Sequence, residues 1–463
     1  MSVHPARPTR ERITARAWGL LLVLSGAIFL EGIDISMIGV ALPSVRADLG
    51  MATGSLQWVV SAYVLGYGGF VLLGGRAADL LGRRRMFLGW LVVFVVFSGL
   101  GGLAGEAWVL VVARFVTGVA AAFLAPAGLS IITTTFAEGR ARNRAVLVYA
   151  GAAAGGFSLG MVVGGLLTAV HWRWVFFAPV VLAAGILVAA VVLIPREDRP
   201  GRRAGGFDVA GTLTLTAAML LLVVALVRAP EVAVATTLAS LVGAVVLFAA
   251  FAWVERRSPA PLVRLGILRS APLLRANAGA LLLVGSFMAF QFTVVLYLQE
   301  LRGWSVLETG LALAVIGIDS VLAPTLTPVL VNRFGNPRVV LAGLVLAAVA
   351  YLLFLPVGPE WGFPAMLPAF IVLGLAFTLA YGPLTIAGTD RVADEEQGLA
   401  SGLLTTSFQF GAALGLAVVS AVIVANTAGD SPEAVLVGLQ AGLVVPLVAA
   451  VLGALLMVPG VRR

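Results

Sequence analysis

The chain has 463 residues, of which 60% are hydrophobic and only 11% are charged. Soluble globular proteins carry about 25% charged residues, so this chain has too few to cover a surface that faces water. The net charge is +8 and there is no cysteine, which excludes disulfides and thiolate metal sites. The composition therefore predicts an all-α protein that crosses the membrane many times.

Apolar segments long enough to cross a bilayer, about 20 residues each, follow one another along the chain. Residues 1–16 resemble the start of a signal peptide, but the first apolar run is about 25 residues long and no small-residue cleavage site follows it. We therefore interpret that run as an uncleaved first span. The fourteen predicted spans are residues 17–42, 55–75, 84–104, 107–130, 143–168, 173–194, 208–228, 232–254, 274–298, 306–330, 338–356, 362–388, 398–425 and 434–458.

Every basic residue is arginine, and the arginines are distributed unevenly over the two sides that this topology creates. The side that holds both termini has 25 arginines, and the loops of the opposite side have four. Because positive charge is retained in the cytoplasm, we predict that both termini are cytoplasmic. The same asymmetry accounts for the high net charge, so we expect no nucleic acid as a partner.

Two carboxylates, Glu31 and Asp34, lie one helical turn apart within the first predicted span. Residues three apart lie about 60° apart around a helix, on one face, and a lipid-facing charge is costly. We therefore expect both side chains to face the interior or a wet cavity. A carboxyl group removed from water binds a proton more readily, as a proton-coupled transporter requires. The alternative is that they only accept hydrogen bonds between helices.

Arg114 lies well inside a predicted span, whereas every other arginine lies in a loop or at the end of a span. By the helical rise it lies about 9 Å below Trp108, and Asp34 lies about 12 Å below Leu42, so the two are at similar depth. A buried arginine needs an anion or a water-filled cavity. We predict that Arg114 competes with a proton for Asp34, with a fixed structural ion pair as the alternative.

Glycines recur at short spacing through the fifth predicted span, with Gly156, Gly160 and Gly164 as the central set. Small residues allow helices to approach closely. A sliding interface and ordinary tight packing both explain the pattern. A G-K-S/T sequence that would complete a nucleotide-binding loop does not follow these glycines, so ATP is not expected to supply the energy.

A third acid, Asp319, lies about 21 Å from Ser305 along the tenth predicted span. It is a candidate for a second proton site, for binding a cationic substrate, or for capping backbone loosened by Pro324.

Polar and aromatic residues within spans are candidates for the wall of a substrate cavity, because such walls suit amphipathic ligands and aromatic faces attract cations. These candidates are Trp58, Tyr63, Gln291, Tyr297, Phe408 and Gln409. For Trp58 and Tyr297, which lie near span ends, anchoring at the membrane interface is the alternative.

A short repeat, D/N-x-x-G-x-x-R, occurs at residues 79–85 and again at 332–338. Both copies follow the second span of a six-span unit if spans 7 and 8 are an inserted hairpin. Repeated halves are usual in secondary transporters, with the binding site at their interface.

Residues 33–43 (IDISMIGVALP) and 75–85 (GRAADLLGRRR) carry a family resemblance. Together with Arg114-x-x-x-Gly118, they resemble the signatures of the major facilitator superfamily, in particular its fourteen-span drug:proton antiporter branch. The resemblance extends over about residues 17–425. Further matching stretches are residues 56–63, 172–176, 207–211 and 398–402.

The resemblance implies a major facilitator fold, with two six-helix bundles and an inserted two-helix hairpin, in which spans 1 and 4 border one cavity. It also implies a conformational latch in the loop after span 2, where Asp79 would accept from a helix N-terminus or an arginine. The arginines there could instead bind lipid headgroups. The residues of this predicted latch are Gly75, Asp79, Gly82 and Arg83.

The sequence departs from the family pattern at three positions. Met161 stands where the fifth-span export signature has proline, Thr117 where span 4 usually has glutamine, and Gly39 where span 1 has asparagine. These departures leave a proton-coupled importer or a lipid transporter on the same fold as alternatives. A membrane-embedded enzyme or sensor is disfavoured, because the sequence shows neither clustered catalytic residues nor a sizeable soluble domain.

The sequence thus predicts a proton-coupled antiporter, with no catalytic site, metal or cofactor, that exports amphipathic drugs, antibiotics or a secondary metabolite. The expected partners are the bilayer and a small amphipathic substrate, for which a positive charge is left open, and the protein is expected to be a monomer. The predicted units are a tail at 1–16, a first bundle at 17–194, a linker and hairpin at 195–272, and a second bundle at 273–459.

Overall fold

The computed structural model describes residues 14–136, 140–195, 208–228, 232–259, 261, 266, 270–389, 397–429 and 431–461. Helices make up most of these residues, and no strand occurs among them. Twelve helices of this described part are long and apolar enough to cross a membrane. The predicted all-α membrane fold is confirmed, whereas the count of fourteen spans stays a prediction.

The α-helices are numbered in chain order. The first seven are α1 (Ala15–Leu49), α2 (Thr53–Leu56), α3 (Trp58–Leu81), α4 (Arg83–Gly102), α5 (Ala107–Thr135), α6 (Arg140–Val170) and α7 (Trp174–Leu193). The next two are α8 (Val209–Arg228) and α9 (Val234–Arg257). The last seven are α10 (Ala271–Leu296), α11 (Val306–Ala314), α12 (Asp319–Phe334), α13 (Asn336–Phe354), α14 (Phe363–Thr389), α15 (Gln397–Asn426) and α16 (Pro432–Val461).

The long helices before residue 194 pack mainly on one another, and so do the helices after residue 270. We call these groups the first and second bundles. Their main contacts with each other are made by α3 on α15 and by α6 on α11. Helices α8 and α9 pack together, and α8 also contacts α3 and α15. The predicted unit limits stay predictions.

Two glycines produce matching bends in the two bundles. Gly82 separates α3 from α4 with φ 97° and ψ 126°, and Gly335 separates α12 from α13 with φ 83° and ψ 149°. A side chain disfavours such positive φ values, which explains a glycine at each bend. The D/N-x-x-G-x-x-R repeat therefore marks equivalent corners of the two bundles.

The tenth predicted span is not one continuous α-helix. α11 ends at Ala314, a 3-10 turn covers Val315–Ile318, and α12 begins at Asp319. Gly317, within this turn, lies against α6, because an added Cβ there would come within 2.8 Å of the Ser158 hydroxyl oxygen. Asp319 therefore begins a helix where the two bundles meet, instead of lying within a regular helix.

Candidate functional site

Asp34 and Arg114 form a buried ion pair between α1 and α5. Nη1 of Arg114 lies 2.6 Å from Oδ2 of Asp34, and the side chains are 1% and 2% exposed for Arg114 and Asp34 respectively. Removing either partner would leave an uncompensated buried charge, which typically costs about 3–5 kcal/mol. The structure thus brings together the two charges that the sequence placed at one depth.

The rest of the Arg114 side chain is held by α3. Its Nε donates to the carbonyl oxygen of Val59 over 3.0 Å, and its guanidinium carbon lies 4.4 Å from the ring centre of Tyr63. A cation over an aromatic face gains attraction from the ring. The Nη2 group has no hydrogen-bond partner among the described residues, so its two N–H donors remain for an additional acceptor.

Glu31 has a different environment from Asp34. The hydroxyl of Tyr67 on α3 lies near its carboxylate, and no ion pair joins Glu31 to a basic residue of the described part. Glu31 is half-buried, whereas Asp34 is almost fully buried. Of the two acids, only Asp34 forms an ion pair within the described part of the chain.

The second bundle contributes an acid and two aromatic rings to the same region. Tyr381 on α14 lies within electrostatic range of both Glu31 and Asp319, and Asp319 is half-buried. The Tyr381 ring stacks on Phe408 with 4.7 Å between ring centres. Tyr381 is 47% exposed, so its ring has a free face in this region. A carboxylate from each bundle therefore lies near Tyr381.

Two further predicted cavity residues lie where the bundles meet. The buried Gln291 has its Nε2 3.3 Å from the place of a Cβ on Gly39 of α1, and this nitrogen has no partner in the described part. Gln409 on α15 lies against Gly68 of α3, where an added Cβ would be 3.0 Å from the Gln409 Cβ. Both side chains therefore lie at the contact between the bundles, and their role in binding a substrate stays a prediction.

Tyr297 and Trp58, the other two residues of the predicted cavity wall, make contacts that hold the fold together. The Tyr297 hydroxyl donates to the carbonyl oxygen of Gly358 over 2.7 Å, which ties the end of α10 to the loop between α13 and α14. Trp58 is partly buried against the main apolar core at the start of α3. Neither side chain is shown to contact the acids.

The predicted packing glycines join α6 to α1 within the first bundle. An added Cβ would meet the backbone of Phe29 at Gly156, the Ser36 hydroxyl at Gly160, and Cα of Met37 at Gly164, the last at 2.7 Å. These three glycines therefore serve close packing beside Asp34. The next residue, Gly165, instead packs against α11 of the second bundle, because its added Cβ would lie 3.1 Å from Cα of Leu307.

The loop predicted to act as a latch is described in part. Gly82 has the bend noted above, Arg83 is half-buried, and the side chain of Asp79 lies outside the described residues. An added Cβ at Gly74 would meet the backbone of Ala122, whereas at Gly75 it would be 3.8 Å from Pro126. The latch role of these residues stays a prediction.

One end of the interface between the bundles is closed by polar contacts. Nη1 of Arg46, near the end of α1, lies 2.6 Å from Oε2 of Glu300, and Nε2 of Gln299 donates to the carbonyl oxygen of Val40 over 3.0 Å. Both partners from the second bundle lie on a π-helical turn, Tyr297–Leu301. We call this the closed end.

Sequence reasoning missed several of these residues. Tyr67 follows Tyr63 by four positions, so the helical period alone places both on one face of α3 and could have identified it. Arg46 and Glu300 are 254 positions apart, and each looks like an ordinary loop charge, so no local signal pairs them. Tyr381 likewise stands in an apolar run without a motif.

Comparison with known proteins identifies relatives across almost the whole chain. A family model described as Major Facilitator Superfamily matches residues 24–416. The puromycin resistance protein pur8 of Streptomyces alboniger is 36% identical over 461 residues, which cover 96% of this chain and 90% of that protein. The cephamycin export protein CmcT of Amycolatopsis lactamdurans is 35% identical, with 93% and 90% covered. The lincomycin resistance protein of Streptomyces lincolnensis is 32% identical, with 96% and 92% covered.

Solved structures share the fold at low sequence identity. A mutant of the nucleoside transporter NupG superposes with a TM-score of 0.68 at 14% identity, covering 96% of this chain and 98% of that one. A bacterial homologue of the human lysosomal transporter Spinster, in an inward-facing and unoccupied conformation, also gives 0.68, at 17% identity, with 96% and 97% covered. At such identities the likeness concerns the fold alone.

Proposed function

The chain belongs to the Major Facilitator Superfamily, and we propose that it is a proton-coupled antiporter that exports amphipathic drugs, antibiotics or a secondary metabolite. The names of its relatives support export or resistance as the activity. The observation that carries the proton coupling is the buried ion pair of Asp34 and Arg114, one turn from the half-buried Glu31.

The proposed coupling works by competition for one carboxylate. A proton bound to Oδ2 of Asp34 removes the charge that holds Nη1 of Arg114, and the guanidinium is then retained by the Val59 carbonyl and the rings of Tyr63 and Phe176. The contact between α1 and α5 loosens, which favours the other arrangement of the bundles. When the proton leaves, the pair forms again. Substrate and proton thus bind to opposite conformational states of the two bundles.

We propose that the substrate binds between the bundles and that a cationic amphipathic molecule fits best. Glu31 and Asp319 supply negative charge from two sides, and the stacked rings of Tyr381 and Phe408 supply an aromatic face. Cations are attracted to aromatic faces, more strongly where water is excluded. The unpartnered Nε2 of Gln291 can donate to a substrate oxygen.

Arginine distribution gives the orientation that we propose. The side of the termini holds 25 arginines and is assigned to the cytoplasm. The closed end, with Arg46 and Glu300, would then face outward, and the cavity would be reached from the cytoplasm. This arrangement suits collection of substrate from inside the cell, and we propose that the monomer suffices for it.

Reconstitution tests the function directly. Purified protein in liposomes, with the inside acidified relative to the outside, should accumulate the fluorescent cation ethidium when its cytoplasmic side faces outward, and dissipating the gradient should stop uptake. Ethidium moving along with protons would favour the importer alternative. Movement of labelled phospholipid and not of ethidium would favour the lipid-transporter alternative, and no gradient-dependent movement of either would contradict the proposal.

A further inference from the structure

The contact between α3 and α15 brings two polar residues of different bundles to one level near the closed end. At its middle, an added Cβ on Gly68 of α3 would lie 3.0 Å from Cβ of Gln409 on α15. Gln57 stands eleven residues before Gly68, and Ser420 stands eleven residues after Gln409. Eleven residues are about three helical turns, and α2, which leads into Gln57, also contacts α15. Gln57 and Ser420 therefore lie at similar height on the facing sides of the two helices.

A third polar residue, Ser61, belongs to the same side of α3. It precedes Gly68 by seven residues, about two turns, and thus shares its face. The opposite side of α15 is occupied by α10, because added Cβ atoms at Gly411 and Gly415 would meet the α10 backbone. The side of α15 that carries Ser420 is therefore the one turned toward α3.

The three side chains are buried without complete hydrogen bonding. Gln57 and Ser61 are 0% exposed and Ser420 is 1% exposed. Oε1 of Gln57 and the two serine hydroxyls have no hydrogen-bond partner among the described residues. Other buried hydroxyls on these bundles, such as that of Thr293, donate to a backbone carbonyl one turn earlier. The contact near the closed end thus holds polar groups that the surrounding chain does not satisfy.

We propose that Gln57, Ser61 and Ser420 set how readily the closed end opens. This inference rests on the proposed transport cycle, in which that end must open and close. A buried polar group without a partner is costly, and the cost is removed when the group regains water. The three groups therefore oppose the ion pair of Arg46 and Glu300, which holds the same end closed. The balance keeps both states of the bundles within reach in each cycle.

Labelling of a cysteine inside the contact tests the inference without a transported ligand. Ala413 lies one turn after Gln409, on the side of α15 that faces α3, and is 0% exposed. The natural chain has no cysteine, so Ala413→Cys gives a single reporter that reacts with a maleimide only when the helices separate. In lipid nanodiscs both membrane faces are accessible, so the rate does not depend on orientation. Adding Ser61→Ala and Ser420→Ala should slow labelling at least about fivefold, because the closed state loses unpaired buried groups.

Ser25→Ala is the matched control outside the contact. Ser25 on α1 is 5% exposed, and its hydroxyl also has no partner in the described part of the chain. The next residue, Gly26, lies against Ile186 of α7 within the first bundle. Loss of an unpaired hydroxyl should raise the thermal midpoint in both cases, but Ser25→Ala should keep the labelling rate. Only a role at the contact between the bundles changes that rate.

The outcomes separate this inference from the proposed function. Labelling that is unchanged in the double serine variant, or slowed equally by Ser25→Ala, would overturn the role of these groups. Faster labelling would overturn it as well, since the hydroxyls would then hold the helices together. Failure of proton-driven export would instead appear in the liposome assay, which does not depend on these labelling rates.

Discussion

Arg46 and Glu300 join the two bundles across the closed end, with 2.6 Å between Nη1 and Oε2. They belong to α1 and to the π-helical turn after α10, so they must separate when that end opens. Asp34 lies three turns further along α1. One helix therefore carries both the charge that closes the interface and the charge proposed to bind the proton.

Breaking the closed-end ion pair should favour the state open at that end. The pair is partly exposed, with side chains 35% and 26% accessible, so its contribution is about 0.2–1 kcal/mol, and Arg46→Ala should shift the equilibrium up to about fivefold. The natural chain has no cysteine, so a single cysteine at Gln291 can report opening by its rate of reaction with an impermeant maleimide.

The matched control for that experiment is the charge exchange. Arg46→Glu should speed labelling at least as much as Arg46→Ala, and adding Glu300→Arg should bring the rate back toward wild type. If labelling is unchanged in all three variants, the contact does not hold the end closed.

Loss of the Asp34 charge should abolish proton-driven export. Asp34→Asn keeps the size of the side chain but leaves Arg114 without its anion, so stability should also fall by about 3–5 kcal/mol, measured as a lower unfolding temperature in detergent. The double variant Asp34→Asn with Arg114→Gln removes both charges and should recover stability but not export. Pumping at the wild-type rate by Asp34→Asn would refute the coupling role.

The glycines of α6 should differ in their tolerance of a methyl group. Gly156→Ala places a carbon against the Phe29 backbone, and such overpacking typically costs about 1–3 kcal/mol. Gly155→Ala is the matched neighbour, because nothing lies within 4 Å of its added carbon. We expect a lower thermal midpoint for the first variant and an unchanged or raised midpoint for the second. Equal midpoints would contradict the packing role.

The bend at Gly82 should resist substitution through its backbone conformation. Gly82→Ala must keep φ near 97°, and such a sparsely populated backbone conformation costs a non-glycine residue about 1–3 kcal/mol, so the thermal midpoint should fall. Gly89, inside α4 and without neighbours within 4 Å, is the control: Ala there should be neutral or stabilising. A larger loss at Gly89 would show that backbone conformation is not the cause.

Much of the fold follows from the sequence because membrane helices need long apolar runs, and such runs are visible without tertiary information. The Asp34–Arg114 contact was also within reach, since helical rise fixes depth and a buried arginine needs an anion. The break before Asp319 was not, because it depends on the contact of Gly317 with α6. The pair of Arg46 and Glu300 and the position of Tyr381 likewise depend on how the bundles meet, which no local pattern encodes.

Proton movement driven by substrate alone tests the proposed coupling most directly. Liposomes with the reconstituted protein and a trapped pH indicator, but no imposed pH gradient, receive ethidium on the side that faces the cavity. We predict that inward ethidium movement drives protons out and alkalinises the interior, and that Asp34→Asn gives no such change. Ethidium uptake by the wild-type protein without any pH change would contradict proton exchange.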